Sequence, residues 1–141
     1  MSIFIDSNIF VAFANKRDKN HERALQLMDD VRKGKFGRAY TSDYIFDEAV
    51  TVALIRTRRP DIAIKVGKLI LGSTKEGIPR IARMITVDER IFLKAWENFQ
   101  SARFKGLSFT DHTILAQIKE YGIDMLLSFD TDFDGLTVRV C

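Results

Sequence analysis

The chain opens with a short apolar stretch that ends on a carboxylate. Residues 3–5 are Ile, Phe and Ile, and Asp6, Ser7 and Asn8 follow them directly. Short apolar runs bounded by polar residues are typical of parallel strands covered by helices on both faces. In open α/β sheets, ligands bind beyond the carboxyl ends of such strands. The stretch therefore predicts an α/β fold with Asp6 at the ligand-binding edge, although a helix cap would also explain this aspartate.

Size and composition indicate one globular domain. The chain has 141 residues, 46% of them hydrophobic and 29% charged, so we expect a single domain over residues 1–141. No apolar run approaches the roughly 18 residues of a membrane span, and no secretory signal pattern is present. We therefore expect a cytoplasmic protein without membrane contact. The single cysteine, Cys141, leaves no partner for an intrachain disulfide and no cysteine-based metal site.

Helical and strand patterns alternate along the rest of the chain. Strands are predicted at 38–41, 81–87, 124–129 and 137–140, and helices at about 8–14, 21–33, 43–59, 61–71, 88–99 and 111–121. This alternation favours a three-layer α/β fold, with a mostly parallel central sheet of about five strands flanked by helices. In the helix after Asp88, the 3.6-residue spacing of the apolar positions predicts that Trp96 belongs to the core.

Four acidic residues are predicted to meet at one edge of the sheet. Asp6 and Asp130 follow apolar strands, whereas Glu48 and Asp111 lie near helix starts, on faces that carry apolar residues. Each also has an ordinary structural explanation. Glu48 can extend to solvent, and Asp111 can form a capping box with Ser108. Asp130 lies in a stretch with turn chemistry. Their common location at one edge favours a functional cluster.

Clustered carboxylates require compensation by protons or a cation. Oxygen ligands select Mg²⁺ or Mn²⁺, and such ions promote in-line displacement at a phosphodiester. Lys and Arg number 22 against 19 Asp and Glu. If the four acids and Asp132 are gathered in one site, 14 acidic residues remain elsewhere, and the rest of the chain carries +8. A basic body around an acidic site suits a nucleic-acid substrate.

Four segments together resemble the signature segments of PIN-domain ribonucleases. They are Asp6-Ser7-Asn8, Ser42 with Glu48, Ser108-Phe109-Thr110-Asp111, and Ser128-Phe129-Asp130-Thr131-Asp132-Phe133. The resemblance spans nearly the whole chain and keeps the order and approximate spacing of the family. It implies a PIN-like fold and an endoribonuclease that depends on Mg²⁺ or Mn²⁺. The implied catalytic quartet is Asp6, Glu48, Asp111 and Asp130.

The same resemblance assigns further roles. All four acids would bind metal, with Asp6 and Asp111 as direct ligands, and Asp132 would share or replace the role of Asp130. Asn8 and Ser128 match supporting polar positions beside the first acid. Small single-domain members of this size are often VapC-type toxins, which are typically homodimeric and inhibited by a small antitoxin. The expected partners are therefore RNA, a second copy of the chain and an antitoxin.

The predicted helices at 43–59 and 61–71 carry more apolar side chains than one sheet face can cover. Such a surplus usually marks an interface, so we expect a homodimer that buries Ile62, Val66 and Leu69.

Other functions remain open at this stage. Aspartyl-phosphate phosphatases need an acid where this chain has Asn8. A PIN nuclease could process a defined RNA or act on DNA, and a PIN fold could bind RNA without cutting it. Loss of an acid would mark the non-catalytic case, and all four acids are present.

Overall fold

A parallel sheet forms the centre of the fold. The computed structural model describes residues 1–101 and 106–141. Within these residues the strands are β1 (Ser2–Ile5), β2 (Arg38–Ser42), β3 (Arg83–Ile85), β4 (Met125–Leu127) and β5 (Arg139–Val140). Their order is β3-β2-β1-β4-β5, and every neighbouring pair is parallel. The predicted α/β fold is confirmed, with the strand of the opening stretch in the middle.

Helices flank this sheet. In the described residues they are α1 (Ser7–Ala14), α2 (His21–Arg32), α3 (Asp43–Thr57), α4 (Pro60–Leu71), α5 (Glu89–Gln100) and α6 (Phe109–Tyr121), with a 3-10 turn at Thr131–Phe133. Helix α1 packs against α2, α3 and α4, whereas α5 packs against α6. None of the described helices combines the length and apolarity needed to cross a lipid bilayer.

The central position of β1 explains its composition. Ile3, Phe4 and Ile5 are fully buried, as expected for a strand with covered faces and a neighbour on each side. The backbone N–H of Asp6 still donates to the carbonyl of Leu127 on β4, over 3.0 Å. The carboxyl ends of β1 and β4 therefore lie side by side, and the residues that follow them share one edge.

Strand β3 is shorter than the predicted strand at 81–87. The backbone N–H of Val87 donates to the side chain of Asp43 over 2.9 Å, so this residue has left the strand ladder. Asp88 then caps α5 by accepting from the N–H of Ile91. The side chains of Asp43 and Asp88 thus bind backbone N–H groups just beyond the end of β3. Strand β5 is also shorter than predicted and consists of Arg139–Val140.

The predicted dimer interface is wrong for two of its three residues. Val66 is 0% exposed and Leu69 8% exposed, and both belong to the core of their own chain. Ile62 is half-buried and packs against the same core. Helix α4 packs against α1 and α3, which covers Val66 and Leu69 but leaves Ile64 and Leu71 exposed. Val66 and Leu69 therefore cannot supply apolar surface that a second copy would bury.

The predicted burial of Trp96 is also wrong. This side chain is 46% exposed, and Phe92 and Phe99 on the same helix are each 42% exposed. Helix α5 buries only Ile91 and Ala95, because its packing against α6 covers a narrow stripe. An aromatic surface is therefore left open on α5.

Candidate active site

Asp6 lies at the bottom of the site and has two structural roles. It caps α1, since its Oδ1 accepts from the N–H of Ser7 over 2.7 Å. Its Oδ2 accepts from the hydroxyl of Ser128 over 2.6 Å and from Nδ2 of Asn8 over 3.3 Å. The side chain is only 3% exposed. The capping explanation and the site prediction are thus compatible, because the cap uses one oxygen of the carboxylate.

Asn8 and Ser128 hold the ends of β1 and β4 in register. Nδ2 of Asn8 donates to the Ser128 hydroxyl over 3.1 Å, and its Oδ1 accepts from the N–H of Phe129 over 3.1 Å. The Ser128 hydroxyl also accepts from the N–H of Asp130 over 3.0 Å. This hydroxyl donates one hydrogen bond and accepts two, so its hydrogen-bonding capacity is fully used. Both predicted supporting residues therefore contact Asp6 directly.

Ser7 connects Asp6 to Glu48, a contact that the sequence did not predict. The Ser7 hydroxyl donates to Oε2 of Glu48 over 2.7 Å and lies 3.4 Å from Oδ1 of Asp6. A hydroxyl has a single proton, so the shorter bond to Glu48 is the main one. The available sequence signal was a hydroxyl residue directly after the strand-end acid. Glu48 is half-buried and reaches the site from the second turn of α3.

Asp111 both caps α6 and faces the other acids. Its Oδ2 accepts from the N–H of Ser108 over 2.9 Å, and its own N–H donates to the Ser108 hydroxyl over 3.1 Å. The capping box considered from the sequence is therefore present. The side chain is 9% exposed, and its charge acts on Asp6. The cap fixes the orientation of a carboxylate that the cluster also contains.

Burial and mutual repulsion both act on the two most buried acids of the site. Burial raises the pKa of Asp6 from 3.8 to about 7, the hydrogen bond from Ser128 lowers it, and the charges of Asp111 and Glu48 raise it again. Burial likewise raises the pKa of Asp111 to about 6, with added repulsion from Glu48 and Asp130. The fold thus brings Asp6, Glu48 and Asp111 close enough to repel one another, and Asp130 close enough to act on Asp111.

Asp132 stands apart from this cluster. Its backbone N–H donates to the side chain of Asp130 over 2.9 Å, which is the turn chemistry recognised in the sequence. Its own carboxylate is exposed. In the described residues, no hydrogen bond connects that carboxylate to Asp6, Glu48 or Asp111.

The donor set fits a hard divalent cation bound partly through water. Across residues 1–101 and 106–141, no three His, Cys, Asp or Glu side chains form a ready metal cage. Mg²⁺ does not need one, because it keeps several waters and is usually bound through one or two carboxylates. Asp6 and Asp111 provide two buried carboxylates whose raised pKa values reflect unfavourable negative charge. A cation would relieve that cost.

A family model and a relative both match nearly the whole chain. The PIN domain family model matches residues 3–138. A VapC ribonuclease from Archaeoglobus fulgidus is 27% identical over 139 residues, which cover 98% of this chain and 83% of the relative.

Two solved structures show the same fold. The crystal structure of Mycobacterium tuberculosis VapC20, described as a sarcin–ricin loop cleaving toxin, has a TM-score of 0.76 and 27% identity, covering 93% of this chain and 92% of that chain. VapBC2 from Rickettsia felis, solved with a DNA fragment from its promoter, has a TM-score of 0.65 and 14% identity, covering 99% and 98%. At 14% identity the second likeness concerns the fold alone.

Proposed function

The chain belongs to the PIN domain family, and we propose on that premise that it is a metal-dependent endoribonuclease. The proposal is supported by the mutual repulsion of Asp6, Glu48 and Asp111, by the charge of Asp130 acting on Asp111, and by the Ser7 hydroxyl that joins Asp6 to Glu48. Similarity to a VapC ribonuclease and to a toxin that cleaves the sarcin–ricin loop supports RNA as the substrate. The reaction class is hydrolysis of a phosphodiester bond.

Each residue of the site has a proposed role. Asp6 and Asp111 would hold the cation, Glu48 and Asp130 would complete the acidic site around it, and Asp132 would share or replace the role of Asp130. When bound, Mg²⁺ or Mn²⁺ supplies electrostatic stabilisation of the charge that develops on the phosphodiester and increases the acidity of water.

The surrounding hydrogen bonds keep these carboxylates oriented. Ser128 and Asn8 fix the Oδ2 side of Asp6, and Ser7 fixes Glu48. Side chains held in this way need little rearrangement when the substrate binds, which is the basis of electrostatic preorganisation.

The proposal is tested by incubating a mixed RNA pool with the protein and Mg²⁺ or Mn²⁺. Cleavage is expected with either ion and is abolished by EDTA. Single-stranded and double-stranded DNA, assayed in parallel, distinguish an RNA nuclease from a DNA-directed one. Binding of RNA with intact substrate under every metal condition would support a non-catalytic scaffold instead.

We further propose that the chain is the toxin of a VapBC-type toxin–antitoxin pair. An apolar groove of about 500 Å³ runs between α3 and α4, lined in part by Phe46, Val50, Leu54, Ile64 and Leu71. A concave apolar groove suits an amphipathic helix of a small partner protein. Co-expression with the product of the neighbouring reading frame should yield a stable complex and relieve growth arrest caused by the chain alone.

The second proposed partner is another copy of the chain. We define the α5 aromatic surface as Phe92, Leu93, Trp96 and Phe99, which are 42–54% exposed. Trp96 stacks on Phe99 at 5.9 Å between ring centroids, so the two exposed rings form one continuous aromatic patch. Such a surface can pack against its own symmetry mate in a two-fold dimer. This surface replaces the interface predicted from α4.

A further inference from the structure

A second charged region lies away from the acids. A concave region of about 540 Å³, here called the basic pocket, lies between the α1–α2 loop and the α3–α4 turn. Its charged lining consists of five cations and a single carboxylate, namely Lys16, Arg17, Arg56, Arg59, Lys65 and Asp61. The whole chain carries a formal charge of only +3. Positive charge is therefore concentrated in this pocket rather than spread evenly over the surface.

Most of this charge is not compensated within the chain. Arg59 uses its guanidinium for a two-point contact with Asp61, at 2.6 and 3.2 Å. The other four cations of the pocket form no ion pair in the described part of the chain. A basic residue in the last turn of a helix interacts favourably with the helix dipole, which accounts for Arg56 alone. Lys16, Arg17 and Lys65 are exposed, so their charges are open to an anion from solution.

The turn beside the pocket carries a further arginine in an unusual backbone conformation. Arg58 ends α3 in the left-handed conformation with φ of 56°, a position that glycine usually occupies. It is the one residue other than glycine with positive φ in the described ranges. An arginine at a position that disfavours a Cβ atom places a further cation between Arg56 and Arg59. The turn therefore carries an exposed arginine despite the conformational cost of its left-handed backbone.

Two helices connect the basic pocket to the acidic cluster. Helices α1 and α3 pack side by side; α1 begins beside Asp6 and ends at the pocket, whereas α3 carries Glu48 in its second turn and Arg56 in its last. Helix α1 has 8 residues, which corresponds to about 12 Å along its axis. Glu48 and Arg56 on α3 are also two turns apart. About 12 Å is the rise of three to four stacked nucleotides, at about 3.4 Å each.

We propose that the basic pocket binds a backbone phosphate of single-stranded RNA whose scissile bond lies at the acidic cluster. This inference rests on the proposed nuclease function and adds a second point of contact, three to four nucleotides from the cleaved bond. An acidic protein segment fits less well, because the apolar part of the lining is limited to Ala14 and the half-buried Ile62. Phosphate recognition requires cations and no apolar anchor.

The test compares two triple variants of the full chain. The pocket variant carries Lys16→Gln, Arg56→Gln and Lys65→Gln. The control variant carries Lys75→Gln, Arg80→Gln and Lys119→Gln, which removes the same charges from exposed positions outside the pocket. Thermal melts establish that both variants are folded.

Binding is measured in EDTA with a labelled single-stranded RNA of about 12 nucleotides, across about 50 to 200 mM salt. For the pocket variant, the slope of log K against log salt is expected to become shallower by about 0.7 for each phosphate that the protein no longer neutralises. The control variant should keep the wild-type slope. Equal slopes in the two variants, or no RNA binding by the wild type, would overturn the proposal.

Substrate length provides a second readout. A trinucleotide is too short to reach both sites. The ratio of kcat/KM for the longer RNA to kcat/KM for the trinucleotide should therefore be about tenfold lower in the pocket variant than in wild type. The control ratio should not change. If all three proteins cleave RNA with the same ratio, the pocket proposal is wrong although the nuclease proposal stands. If wild type bound a polyglutamate peptide and the pocket variant did not, while both bound RNA equally, the pocket would be assigned to an acidic protein partner. That result would contradict the proposal.

Discussion

Ser128 and Asp6 lie near opposite ends of the chain and are joined by a hydrogen bond of 2.6 Å. The Ser128 hydroxyl donates to the carboxylate and thereby stabilises its ionised form, which opposes the effect of burial on the pKa of Asp6. Because β1 and β4 are neighbours in the sheet, the contact exists only in the folded chain. A single hydroxyl therefore helps to determine whether the buried acid is available to a cation at neutral pH.

Replacement of Ser128 by Ala should raise the pKa of Asp6 above its value of about 7. Protons then compete with the cation at higher pH, so the acidic limb of the pH–rate profile should shift to higher pH. The profile of RNA cleavage with Mg²⁺ measures this shift. Ser101→Ala removes an exposed hydroxyl from the end of α5 and serves as the control. Identical profiles for Ser128→Ala and wild type would contradict the proposed coupling.

The raised pKa of Asp6 makes the metal-free protein less stable as the pH rises. From its unfolded value of 3.8 to about 7, the unfolded chain releases the proton while the folded chain keeps it. Asp6 should therefore lower the free energy of unfolding by on the order of 3 kcal/mol between about pH 5 and pH 8. Urea denaturation in EDTA measures this loss, which should be smaller in Asp6→Asn. Parallel pH dependences in the two proteins would show that Asp6 is not the source.

Asp111→Asn separates the capping role of this residue from its place in the acidic cluster. Ser108 is the N-cap of α6 and Asp111 is the third residue of its capping box, and asparagine keeps a side-chain oxygen that can accept from the N–H of Ser108, so the substitution mainly removes a buried charge. Without metal, the variant should melt on the order of 5 °C higher than wild type at neutral pH, because repulsion is relieved. Millimolar Mn²⁺ should stabilise wild type more than the variant.

The matched control for that experiment is Asp47→Asn, which removes an exposed carboxylate from the same helix as Glu48. It should melt like wild type and keep the full response to Mn²⁺. If Asp111→Asn also kept the full response, Asp111 would be a helix cap only.

The α5 aromatic surface predicts a homodimer. Light scattering at micromolar concentration should give about twice the 16.2 kDa of one chain. Trp96→Glu should yield a folded monomer, whereas Val138→Glu, at a site 63% exposed on another part of the surface, should remain dimeric. Trp96 is the only tryptophan, so its fluorescence should change as the wild type is diluted. A monomeric wild type at these concentrations would refute the dimer.

Local sequence was sufficient where the structure depends on neighbouring residues. The apolar run before Asp6 predicted a buried strand and a strand-end acid, and Ser108 with Asp111 predicted the capping box that the structure contains. Both depend on residues within four positions of each other. The alternation of such elements was then enough to predict a parallel sheet, because few arrangements of β-α units are possible.

Sequence reasoning failed where the outcome depends on a distant neighbour. Trp96 and Val66 both lie on apolar stripes of helical period, yet one is exposed and the other is buried. Periodicity identifies the apolar face of a helix but not what covers it. The contact between Ser7 and Glu48 joins residues 41 positions apart, so the hydroxyl beside Asp6 could be noted from the sequence but its partner could not.

We propose that the four acids form the site at which RNA is cleaved with a divalent cation. The most direct measurement is the single-turnover rate of RNA cleavage, with Mn²⁺ and without it, by wild type, Asp111→Asn and Asp47→Asn. The rate should fall by about a hundredfold or more in Asp111→Asn, and wild type and Asp47→Asn should be equally active and equally dependent on metal. Wild-type activity in Asp111→Asn, or cleavage that persists in EDTA, would contradict the claim.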